Sequence, residues 1–158
     1  MTNQQGFTLI ESLVSVAFIA IGFVGVFGLV NVSNDMLHNS IEREHLNDQA
    51  NAIIETLSAD ISGIETYKSK NLSHCGALKS KTTKNAKQKN NEEKQFTRMK
   101  KWCEKIQGRL GSAQAQDKRN IHVVKKKIAG KDVYVVAVEL TSRNGKNSSW
   151  VKRVFNAP

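Results

Sequence analysis

Residues 6–30 read GFTLIESLVSVAFIAIGFVGVFGLV, and Glu11 is the one charged side chain among them. About 20 helical residues cross the hydrocarbon of a bilayer, so residues 7–30 read as a membrane-crossing helix. A secretory signal places basic residues ahead of a shorter apolar core and a small-residue cleavage site behind it. Here the small residue, Gly6, lies in front of the apolar run, after the polar start Met1 to Gln5. A carboxylate in lipid costs at least about 2.5 to 3.5 kcal/mol unless it is partnered. The nearest candidate partner for Glu11 is the amine that cutting after Gly6 would create on Phe7 of a neighbouring subunit.

Downstream, residues 31–67 read as an amphipathic continuation of the same helix. Leu37, Ile41, Leu46, Ala50, Ile53, Ile54, Leu57, Ile61 and Ile64 recur at mostly three- and four-residue steps, which places them on one stripe. No Pro or Gly interrupts the pattern between Gly28 and Gly63. A coiled coil is the competing expectation, but the heptad is not clean.

Residues 68–158 are expected to form one small basic head. The charge is divided sharply: Met1 to Tyr67 carry a net −7 and Lys68 to Pro158 a net +17, within an overall +10. Residues 68–95 are rich in Lys, Asn, Ser and Thr, and Lys79 to Lys94, KSKTTKNAKQKNNEEK, offer too little apolar surface to offset the entropy of ordering. That stretch reads as an exposed loop. Phe96, Met99, Trp102, Cys103, Ile106 and Leu110 then return to helical spacing and predict a short helix over residues 96–110, with Trp102 in the core and Lys100, Lys101 and Lys105 outside. Ile121–Lys127, Asp132–Thr141 and Ser149–Phe155 have the Val and Ile density of strands. They predict a three-stranded antiparallel meander over residues 121–155. Asn144-Gly145 marks its second turn, since Asn-Gly favours the type I′ hairpin. The fold class is therefore α+β: a long N-terminal helical spine packed on a small antiparallel sheet.

Gly6-Phe7-Thr8-Leu9-Ile10-Glu11 resembles the processing site of type IV prepilins and pseudopilins. The resemblance implies that a membrane-embedded prepilin peptidase removes residues 1–6 and methylates the new amine of Phe7. It also implies that Glu11 docks a neighbouring subunit. Within that superfamily, Ile21 to Leu29, with Gly22, Gly25 and Gly28, is similar to the anchor of PilV-type minor pilins. Two features depart from the family pattern: the leader has no Lys or Arg, and the anchor lacks the mid-helix Pro common in major pilins. The glycines can instead weaken the helix, by about 1 kcal/mol each against Ala, or let helices approach closely.

The resemblance places the head in the periplasm of a bacterium, on a single-pass protein of the inner membrane that later enters a surface pilus. In that oxidising compartment an even pair, Cys75 and Cys103, reads as a disulfide, two free buried thiols being the alternative. His74 beside Cys75 lacks the paired short spacing of a zinc site. His38, His45, His74 and His122 are scattered, and no phosphate loop or nucleophile motif is present, so neither catalysis, a metal nor a cofactor is expected.

The function implied is that of a PilV-like minor pilin, a non-catalytic subunit in pilus assembly, priming or tip display. Its expected partners are prepilin peptidase, other minor pilins, the major pilin and the inner-membrane assembly platform, with a tip adhesin as a further candidate. The alternatives are a pseudopilin of type II secretion, a competence pilin that captures DNA, or an adhesion subunit. For the last two, Lys84, Lys87, Lys89, Lys100 and Lys101 are the candidate polyanion contacts.

Overall fold

The computed structural model describes the backbone of residues 8–78 and 86–157, and the side chains of the same residues except 86–89. The chain divides into two compact units, Met1–Ser40 and Ile41–Pro158. Helix α1 is continuous from Leu9 to Ser58 and supplies the first unit's described part as well as the start of the second. In the first unit its apolar side chains are exposed, from Leu9 at 79% to Val30 at 48%.

In the second unit the remainder of α1 behaves as an amphipathic helix should. Leu46, Ala50, Ile53, Ile54 and Leu57 are fully or almost fully buried. They join Met99, Cys103 and Ile106 of α2 (Ala86–Leu110), Ile121 and Val123 of β2 (Arg119–Ile128), and Val136, Val138 and Leu140 of β3 (Lys131–Ser142). The strand residues alternate, as one buried face of a sheet requires. Leu37 and Ile41, expected on the same stripe, are exposed at 57% and 43%.

The helix ends earlier than the stripe suggests. Its last residue is Ser58, whose hydroxyl donates to the Glu55 carbonyl at 2.7 Å, and a 3₁₀ helix follows over Ile61–Tyr67. Asp60, at this junction, accepts hydrogen bonds from Gln95 and Arg98, side chains distant in the chain. A Cβ on Gly63 would collide with the Gln95 side-chain amide that crosses it, so a substitution there has to displace that amide.

The sheet has four antiparallel strands in the order β1-β2-β3-β4, where β1 is Lys70–Asn71 and β4 is Asn147–Asn156. The expected meander is present, with a two-residue strand added at its β2 edge and every longer strand extended by a few residues. The tight two-residue turn is the first one and not the Asn144-Gly145 turn. Ile128 pairs with Lys131, so Ala129 and Gly130, at φ 49° and 78°, are the two central residues of the tight hairpin. Ser142 pairs with Asn147 across a four-residue loop in which Arg143, Asn144 and Gly145 all have positive φ. That loop is held by its neighbour: Asp117 Oδ1 accepts from the Gly145 amide at 3.0 Å, and Asn144 Oδ1 from the Gln116 amide at 2.9 Å.

The expected loop over residues 68–95 is corrected at both its ends, while residues 79–85 lie outside the described residues. It contains β1, a 3₁₀ turn at Cys75–Ala77 and the first ten residues of α2, which runs for 25 residues from Ala86. Lys, Gln and Glu are good helix formers whether or not they have apolar surface to bury. One polar residue of that stretch, Gln95, is itself buried and donates to Asp60 at 3.1 Å.

Candidate functional site

The first turn of α1 carries the chemistry that the sequence singles out. Glu11 is exposed there, its amide bonded to the Thr8 carbonyl at 3.1 Å. A carboxylate at a helix N-terminus is favoured by the unpaired amides and the helix dipole. The Ser12 hydroxyl donates to the Leu9 carbonyl and the Ser15 hydroxyl to the Glu11 carbonyl, each at 2.8 Å, so both satisfy themselves within the helix. Around and after them, 18 consecutive residues of α1 have a mean hydropathy of 2.6, with none of them buried. A Cβ added to Gly22, Gly25 or Gly28 would meet nothing within 4 Å among the described residues, which leaves these positions open to close packing by another helix. By length and composition this segment is able to cross a membrane.

Residues 1–27 match a family model described as the prokaryotic N-terminal methylation motif. This match supports the resemblance of the N-terminal segment to that of type IV prepilins and pseudopilins. Proteins with this pilin-type segment are in general structural subunits. No curated protein and no solved structure matches the chain, so the head stands on its own geometry.

Of the residues expected at the pilin-type processing site, Gly6 and Phe7 lie outside the described residues, and Glu11 is placed as above. Cys75 and Cys103 are joined in a disulfide, with their Cα atoms 5.5 Å apart, between the 3₁₀ turn and α2. Trp102, expected in the core, is half-buried at its edge against Tyr67, ring centroids 5.7 Å apart. Of the proposed polyanion contacts, Lys84 lies outside the described residues, as do the side chains of Lys87 and Lys89. Lys100 and Lys101 are exposed on α2, with Lys100 3.9 Å from Glu104. Other exposed cations, Lys125, Lys126, Lys127 and Lys131, flank the β2–β3 hairpin, with Lys125 3.1 Å from Asp132, while Lys152 and Arg153 lie in mid-strand on β4, opposite Ala137 and Val136. The run Lys125-Lys126-Lys127 was the visible signal of the hairpin group in the sequence.

Three features of the head had no clear sequence signal. Asp60 Oδ2 accepts hydrogen bonds from Tyr67 at 3.0 Å, Gln95 at 3.1 Å and Arg98 at 2.8 Å. Burial pushes the Tyr67 hydroxyl up to about 12; the nearby Arg98 opposes this and Asp60 reinforces it. A polar groove of ≈680 Å³ runs beside this cluster, between the 3₁₀ helix and α2. The second feature is Arg119, fully buried with one side-chain bond, Nη2 to the Gly111 carbonyl at 3.0 Å. Its Nε and Nη1 are buried without a hydrogen-bond partner among the described residues, and burial lowers its pKa. Third, Glu42 Oε2 accepts from Arg143 Nε at 2.6 Å and from Asn147 Nδ2 at 2.9 Å, tying α1 to the β3–β4 loop. Among the described residues, no three His, Cys, Asp or Glu side chains gather into a metal-binding group.

Proposed function

We propose that the protein is a minor type IV pilin of the PilV kind, cut after Gly6 by prepilin peptidase, methylated on Phe7 and assembled into a pilus or its initiating complex. The observation that carries this reading is a methylation-type N-terminus in front of an apolar helix none of whose face is buried in its own chain. Such a helix requires lipid before assembly and other helices after it. Residues 7–30 are the anchor, held in the inner membrane as a single span, with the head in the periplasm. Glu11 is the docking charge for the Phe7 amine of an adjacent subunit. The major pilin, other minor pilins and the assembly platform are the partners this arrangement needs.

Mass spectrometry of the protein extracted from peptidase-positive cells tests the processing step. The expected mass begins at an N-methylated Phe7, and Gly6→Ala blocks the cut because a side chain there obstructs the peptidase. A mature chain still beginning at Met1 or Thr2 overturns the reading. A deletion strain separates this assignment from a secretion pseudopilin: loss of surface pili with intact secretion supports the pilin, and the converse supports the pseudopilin.

A further inference from the structure

The strand order leaves β4 at one edge of the sheet, and that edge is long. It pairs with β3 in unbroken register from Ser142↔Asn147 to Val133↔Asn156. It contains no proline. In an antiparallel ladder every second residue turns its N–H and C=O away from its partner. Among the described residues, Ser148–Asn156 make no backbone hydrogen bond except with β3. Natural edges are blunted by short strands, prolines, bulges, covering segments or charge. The opposite edge is β1 for two residues and then the outer side of β2, where Lys125, Lys126 and Lys127 supply charge; on β4 the guard is the exposed pair Lys152 and Arg153.

Those two cations also select what can pair there. Like charges brought together across a ladder are destabilising, which disfavours β4 of a second copy. No other strand of this chain offers the complement. Its strand acids, Asp132 and Glu139, belong to β3, which is already paired on both sides. Beside the cations, Trp150 and Val154 are 62% and 55% exposed. Together with Lys152 they stand on the sheet face away from the core, while Arg153 points to the other face, by the alternation of a strand.

We propose that the β4 edge receives an extended acidic segment of a different protein by antiparallel strand addition. Backbone hydrogen bonds supply the binding and alternate side chains the choice of partner. Carboxylates of the incoming strand lie across from Lys152 and Arg153, and apolar side chains lie across from Trp150 and Val154. The edge is a property of the head, so this inference stands or falls separately from processing at Gly6.

The test uses the full chain in detergent micelles and the capped peptide TVEETVT, which matches Phe155 to Ser149 in antiparallel order. Hydrogen exchange of the β4 amides is followed with and without about 1 mM peptide. The expected result is a slowing of at least roughly tenfold at outward amides between Trp150 and Val154. The lysine counterpart TVKKTVT gives none, and Lys152→Glu with Arg153→Glu reverses the preference. No slowing with TVEETVT, or equal slowing with both peptides, overturns the proposal. So does binding of an oligothymidylate where the acidic peptide protects nothing, because the cations then serve a polyanion and not a strand.

Discussion

Asp60 holds Arg98 at 2.8 Å across 38 residues of chain, and the same carboxylate oxygen receives the hydroxyl of the buried Tyr67. The phenol keeps its proton up to about pH 12 in the folded head, against about 10 in an unfolded chain. A raised folded pKa means that the native state binds this proton more tightly. The stabilisation is complete below about pH 10 and is lost as pH climbs from about 10 to about 12, by about 2 to 3 kcal/mol. Urea midpoints measured from about pH 9 to 12 should fall for the wild type, and more gently for Tyr67→Phe. Parallel curves for the two would show that the hydroxyl titrates without consequence for folding.

The Cys75–Cys103 disulfide closes a separation of 28 residues and anchors the segment between β1 and α2. On the chain-entropy account its loss costs about 3 to 4 kcal/mol. Cys75→Ser with Cys103→Ser should lower the head's unfolding midpoint accordingly. The same shift should follow reduction of the wild type. A loss below about 1 kcal/mol would mean that the unfolded chain gains little freedom from the cut.

Ala129 stands at φ 49° in the tight β2–β3 turn, a conformation that costs an ordinary L-residue roughly 1 to 2 kcal/mol and that Asn tolerates better. Ala129→Asn should therefore stabilise the head by about 0.5 to 1 kcal/mol, read as a raised thermal midpoint. Ala129→Val should lower it.

Arg119 is charged, fully buried and bonded through only one of its three guanidinium nitrogens. Burying a charge without a full set of partners costs more than burying a hydrophobe of the same volume. Arg119→Met is expected to stabilise the head by about 1 to 3 kcal/mol in chemical denaturation. Destabilisation by a similar amount would show that the single bond to the Gly111 carbonyl outweighs the cost of burial.

Glu11→Leu separates docking from processing. The substitution leaves the Gly6–Phe7 bond and the hydrophobicity of the anchor available to the peptidase, so cleavage should persist. Recovery in sheared pili should drop, because the charge proposed to meet the Phe7 amine is gone. Wild-type recovery would remove Glu11 from docking.

The sequence made the core of α1 and the three long strands legible because their apolar residues are spaced by the periods that create a buried face. Cys75 and Cys103 were legible through the compartment that the N-terminus implies. Composition misled at residues 86–95, where the lack of large apolar side chains does not stop Lys, Gln and Glu from extending a helix. The strand Lys70–Asn71 could not be found locally, because its two residues are ordered by pairing with Asn120 and Ile121. The Asp60 cluster was equally out of reach: its members are as far as 38 residues apart, and each alone looks like an ordinary surface residue. The turns show the same limit, since Asn144-Gly145 is a stronger hairpin signal than Ala129-Gly130. The loop around Asn144 is shaped by Asp117 and Gln116, which no short window contains.

One helix, α1, is written in two vocabularies. From Leu46 to Leu57 a substitution is judged by the head, and a poor choice appears as lost folding stability. From Leu9 to Val30 the large apolar side chains are exposed and none belongs to the core of the head, so a change there that keeps helix propensity leaves the head's unfolding midpoint where it was. A variant there can be perfectly folded and still fail, and purification yield or melting temperature is the wrong place to look for its defect.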